Sequence, residues 1–111
     1  MSEARLAPSI EVSALLAKAR AEGGFGTVLA RGDPDRGAIM VVLAERGEAK
    51  RLVERRLQTG GTYEWEGRES GDSANLQQHL ARARDSDPDL WVIELDIPST
   101  ERFVAGMISG D

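Results

Sequence analysis

The sequence contains no cysteine. Disulfides, thiolate nucleophiles, zinc fingers and iron–sulfur clusters are thereby excluded as sources of stability or chemistry. It has one histidine, His79, which without cysteine cannot build the usual zinc ligand set. No G-x-S-x-G turn marks a serine nucleophile. No window approaches the ~20 apolar residues of a membrane helix. Glu3 and Glu11 interrupt the N-terminal stretch where a secretory signal would be basic and then apolar, so a cytoplasmic protein is expected. Positive charge is in deficit: 14 Lys and Arg against 19 Asp and Glu leave a net charge of −5. That balance repels polyanions and disfavours wholesale binding to nucleic acid or an anionic membrane.

What is present is ordinary globular material. The 111 residues, 41% hydrophobic and 30% charged, suit one domain with its own core. A chain of this length buries roughly two-thirds of its unfolded surface, so no metal or cofactor is needed to fold it. The expected domain spans residues 1–111, frayed at 1–8 and 108–111.

Periodicity supplies the elements. Val12, Leu15, Leu16 and Ala19 fall on one face of a helix from about Ser9 to Glu22, with Ser9 as its cap and Gly23-Gly24 as its stop. A strand from about Phe25 to Arg31 leads into the turn GDPDRG. The next strand, Ala38 to Ala44, is apolar without alternation, which calls for a central position covered on both faces. Gly47-Glu48 suggests a tight hairpin into a highly charged strand, Ala49 to Leu57, read as an edge. After Gln58-Thr59-Gly60-Gly61 comes a fourth strand, Thr62 to Glu66. A polar loop, Gly67 to Asp72, precedes a second helix ending near Arg84, with Leu76, Leu80 and Ala83 as its stripe. The last strand, LWVIELDI, puts Trp91, Ile93, Leu95 and Ile97 on one face and Leu90, Val92, Glu94 and Asp96 on the other. Pro98 stops it, and the tail forms a short helix or frays. The order α-β-β-β-β-α-β predicts an α+β fold: a mostly antiparallel sheet of about five strands, the first four in a meander, with two main helices on one face as a two-layer sandwich.

Two acidic clusters invite chemistry, GDPDRG and DSDPD. Asp85, Asp87 and Asp89 have the spacing that opens a calcium loop, but the sixth position of such a loop must be glycine. Here it is Leu90, at the start of a strand. Turn formation accounts for the same residues: proline fixes φ, and aspartate satisfies free N–H groups. If both turns lie at one end of the sheet, Asp33, Asp35, Asp87 and Asp89, joined by Glu94 and Asp96, make a candidate metal or acid–base site.

LARGDPDRGAIMVVL, GTYEWEG and DPDLWVIELD together resemble the bacterial family called domain of unknown function 1491. The resemblance covers nearly the whole chain, and the order of the motifs agrees. It implies a compact bacterial protein of this size and brings no catalytic residues with it.

The remaining candidates are surfaces. Arg51, Arg55 and Arg56 on the charged strand, with Tyr63 and Trp65 beside them, suit an acidic protein partner or stacked bases. Interleaved Glu45, Glu48 and Glu54 favour an ion-paired, solvated face instead. Trp91 and Phe103 are read as packing residues that a partner site could also use. GGFG follows a helix and precedes a strand, the wrong order for a phosphate loop. The sequence-level expectation is a non-enzymatic module that binds a protein partner or itself, possessing no cofactor. The alternatives are a small metal-dependent hydrolase at the acidic turns and a weak nucleic-acid binder along the arginine strand.

Overall fold

The computed structural model describes residues 7–57, 59–61 and 63–109, and of Arg56, Leu57, Tyr63, Ile108 and Ser109 the backbone alone. The fraying expected at residues 1–6, 110 and 111, the turn residue Gln58 and the strand residue Thr62 lie outside the described residues. The elements are α1 (Pro8–Ala21), β1 (Phe25–Ala30), β2 (Ile39–Glu45), β3 (Glu48–Leu57), β4 (Tyr63–Glu69), α2 (Ser73–Ser86), β5 (Trp91–Asp96) and α3 (Thr100–Ser109). The α+β class, the element order and the mostly antiparallel five-stranded sheet follow the sequence expectation. The C-terminal tail is helical.

The strand order is β1-β5-β2-β3-β4. The expected meander therefore holds only for β2, β3 and β4. β5 lies between β1 and β2, antiparallel to the first with Thr27 opposite Glu94, and parallel to the second with Ile39 opposite Trp91. The two strands most apolar on both faces thus sit side by side at the centre, where both faces are dry. The charged strand β3 is flanked on both sides rather than being an edge. The edges are β1 and β4.

Alternation along β2 and β5 builds two cores. Ile39, Val41, Leu43, Trp91, Ile93 and Leu95 meet Val12, Leu15 and Ala19 of α1 and Phe103, Val104 and Met107 of α3. Met40, Val42, Leu90 and Val92, with Leu52 of β3, meet Leu76 and Leu80 of α2 on the opposite face. The sheet is accordingly covered on both faces, where the sequence reading placed the helices on one. The reason is visible in β2: six consecutive buried residues require two covers, and each fully buried aliphatic side chain contributes about 1.5–3 kcal/mol. Among its described contacts, α2 covers its face thinly, with only Leu76 and Leu80 buried.

The ends of the elements are tied by named bonds. Pro8 opens α1 at its first turn, and Ala7 caps it without a side-chain bond. Ser9, expected as the cap, lies inside the helix, and its N–H donates to the Pro34 carbonyl at 3.2 Å. Gly23 and Gly24 close α1 as expected, donating to the Arg20 and Ala19 carbonyls. Asp72 caps α2, its carboxylate accepting from the Asn75 N–H at 2.8 Å. The β2–β3 turn is Arg46-Gly47, one residue earlier than expected, with φ of 54° and 82°. Such a two-residue turn of positive φ matches the twist of the paired strands. β4 continues to Glu69, beyond the expected Glu66, because it pairs with β3 as far as Arg51 opposite Glu69.

Candidate functional site

The two acidic turns do lie together, at the end of the sheet where β1 finishes and β2 and β5 begin. The Asp33 N–H donates to the Asp89 carbonyl at 3.0 Å. The Trp91 indole N–H donates to the Asp33 carbonyl at 2.8 Å, and the Arg31 guanidinium stands 5.3 Å from the Trp91 ring centre. A Cβ on either Gly32 or Gly37 would collide with the Asp89 carbonyl, so glycine permits this close approach. Arg84 of α2 completes the junction, its Nη1 donating to the carbonyls of Arg31 and Pro88 at 3.1 Å each and of Leu90 at 2.7 Å.

The carboxylates there are occupied locally. One Asp33 oxygen accepts from the N–H groups of Asp35 and Arg36 at 2.8 and 2.9 Å. Those bonds, the Asp35 N–H foremost, hold the Asp33 carboxyl below its ordinary pKa. An Asp87 oxygen accepts from the Asp89 N–H at 3.1 Å. Asp35 and Asp89 are exposed. Glu94 and Asp96 do not join these turns. Asp96 lies at the opposite end of β5, and its two oxygens accept from Arg46 and Gly47 N–H groups at 3.0 and 2.7 Å. Among the described residues, no group of three or more His, Asp or Glu is placed to hold a metal ion.

Of the basic candidates, Arg51 and Arg55 share one face of β3 with Val53 between them. Arg55 points to the α1 side, 3.7 Å from Glu11, with its side chain only 10% exposed. It faces Trp65 across the β3–β4 pair, and Trp65 packs against the α1–α3 core. Arg51 is half-buried. The side chains of Arg56 and Tyr63 lie outside the described residues. Trp91 and Phe103 are buried at 2% and 1% exposure, and the Lys18 ammonium stands 5.1 Å from the Phe103 ring centre. On the α2 side, Glu54, Arg68 and His79 form a cluster. Arg68 Nη2 lies 2.8 Å from His79 Nε2, and Glu54 lies 3.7 Å from that same ring nitrogen. Guanidinium only donates, so a hydrogen bond between the two uses Nε2 as its acceptor.

A surface the sequence reading did not single out lies along β1. Phe25 and Leu29 are 60% and 48% exposed, the most exposed large hydrophobics of the sheet among the described residues. Phe25 and Thr27 share the face of Asp96 and Glu94, their partners in register. A bulge between Val28 and Ala30 brings both Leu29 and Ala30 onto the same side. There they line a groove of about 380 Å³ with Val42, Leu76, Leu80 and Val92. Half-buried Glu94 sits in its floor. The signal was available: FGTVLA carries no charge, unlike a protected edge strand. An apolar strand reads as core until its neighbours are known.

The comparisons agree with this architecture. A crystal structure of a DUF1491 family protein from Caulobacter crescentus CB15 is similar to the chain, with 33% identity over 81% of this chain and 86% of that one, at a TM-score of 0.71. The solution structure of protein Atu0922 from A. tumefaciens is 28% identical over 95% and 92%, at a TM-score of 0.76. No curated protein matches the chain. The family model described as protein of unknown function (DUF1491) matches residues 6–105, and the chain therefore belongs to the DUF1491 family.

Proposed function

We propose that this protein is a non-enzymatic binding module whose contact surface is the β1 edge and the adjoining groove. The observation that carries the reading is the pair Phe25 and Leu29, exposed on an edge strand without charge, with Leu29 also lining the mostly apolar groove beside it. Extended segments add to such an edge through main-chain hydrogen bonds, and side-chain pockets select among them. The acidic turns, by contrast, have Asp33 and Asp87 committed to backbone N–H groups. Lys50, Arg55 and Arg68 stand beside Glu48, Glu11 and Glu54 respectively, which argues against a phosphate-binding strip.

The test compares the tagged chain with its Phe25→Glu/Leu29→Glu variant in lysate of its own cells. A protein held by the parent and released by the variant, at equal melting temperature, is the expected result. Identical captured sets would contradict the reading. A melting-temperature rise with Mg²⁺ or Mn²⁺ that vanishes in a paired Asp33→Asn/Asp87→Asn variant would instead favour metal-dependent chemistry at the turns. A ligand at 100 times its Kd adds about 2.7 kcal/mol, a shift of several degrees for a domain of this size.

A further inference from the structure

We infer that the occupant of the β1 edge is a second copy of this chain, paired antiparallel across a two-fold axis at Thr27 to give a continuous ten-stranded sheet. The inference rests on the reading of β1 as a binding edge and names its partner.

Three observations converge on a self-pairing. The first is charge. Two copies of a chain with net charge −5 repel one another over most of their surfaces. The opposite edge, β4, reads YEWEGRE, with Glu64, Glu66, Arg68 and Glu69 exposed. β1 carries no ionisable group, so a β1–β1 contact is where that repulsion is least.

The second is self-complementarity. A two-fold contact must match a patch to itself. An axis at Thr27 pairs the regular residues Gly26 to Val28 of the two copies and brings Phe25 of each towards the bulged Leu29 of the other, so the exposed apolar side chains lie together on one face. Aromatic–aliphatic pairs of this kind are a stabilising unit of antiparallel sheets.

The third is the lack of the usual protection. Exposed edges are blunted by lysine, by proline, by inward-pointing charge or by a bulge. β1 has only the bulge at Leu29, which lies at the end of the strand and leaves Phe25 to Val28 regular. Among the described residues no strand pairs with its outer side. A six-residue edge buries less than a standard interface of ~800 Å² per partner, so the dimer is weak and concentration-dependent.

The absence of cysteine makes the test clean. In Thr27→Cys the introduced thiols meet at the axis. Directly opposed residues of an antiparallel pair have Cα atoms about 4.5–5.5 Å apart, within the range a disulfide spans. Mild oxidation is expected to convert this variant to a covalent dimer several-fold faster than a Glu64→Cys control on the opposite edge. In sedimentation between about 10 µM and about 1 mM, the parent mass should rise from 12.0 kDa towards twice that value. Thr27→Lys, with an unchanged melting temperature, should hold it at the monomer. Equal cross-linking rates, a parent monomeric throughout, or a Thr27→Lys protein that dimerises like the parent would each overturn the self-pairing. A monomer that still captures a protein through Phe25 and Leu29 would leave the wider binding reading standing, so the two failures are distinguishable.

Discussion

Glu45 ends β2, and its carboxylate accepts from both the N–H and the hydroxyl of Thr100 at 2.8 and 3.0 Å. Thr100 is the one buried polar residue among those described, at 4% exposure, and it opens α3. Its N–H, chiefly, and its hydroxyl hold the Glu45 carboxyl below the ordinary glutamate pKa. A carboxyl that binds its proton less tightly when folded stabilises the fold fully above its unfolded pKa. That contribution fades as pH falls from the unfolded value of about 4.3 towards the lower folded one. Glu45→Gln retains an acceptor but has no charge to lose. Its melting temperature should fall less steeply than the parent's between roughly pH 5 and 3, and parallel curves would contradict the assignment. Asp33 is shifted in the same direction by the N–H groups of Asp35 and Arg36, so it adds to the parent's acid limb. The service of acids to the backbone was legible where the N–H donors are near in sequence, as at Asp33; in the second turn Asp89 was expected to accept from a free N–H, and it is Asp87 that accepts, from the N–H of Asp89. That service was not legible at Asp96 or Glu45, whose donors lie about fifty positions away.

The elements show the same division between local and distant causes. Helix faces and strand faces came directly from periods of 3.6 and 2, and Trp91, Ile93, Leu95 and Ile97 share the side that alternation assigned them. Strand order did not, because nothing near β1 or β2 states that β5 will enter between them. The link from Arg31 to Ala38 has turn composition, yet it joins strands that are separated in the sheet by β5. The exposed edge at Phe25 and Leu29 was missed for the same reason. The β2–β3 turn offers a test at this scale. Arg46 is the only described non-glycine residue of positive φ, a conformation costing an ordinary L-residue about 1–2 kcal/mol. Asn is favoured before Gly in such turns. Arg46→Asn should therefore raise stability by about 1 kcal/mol, seen as a higher urea midpoint at unchanged slope. A lower midpoint would mean that the Arg46 side chain contributes more than its backbone costs.

In the whole molecule, β5 comes last in chain order among the five strands, and it completes the centre of the sheet. β5 bonds to both β1 and β2, supplies residues to both cores, and meets Asp33 through Trp91. Until residues 91–96 leave the ribosome, β1 has no strand to pair with, and β2 presents an apolar edge on one side. The pairings of β5 with β1 and with β2 are thus made late and join distant positions, the regime of slow folding and of aggregation-prone intermediates. A chain ended after Pro88 retains α1, β1 to β4 and α2, yet it lacks the piece that joins them. It should be insoluble or molten, without the cooperative melting of the parent, and recovery of native-like melting on adding a peptide of residues 89–97 would locate the deficit in the missing central strand. For a cell, the consequence is one of quality control. A ribosome that stalls before β5 releases α1, β1 to β4 and α2 without the strand that lies between β1 and β2, a product marked for proteolysis by the very gap that β5 was to fill.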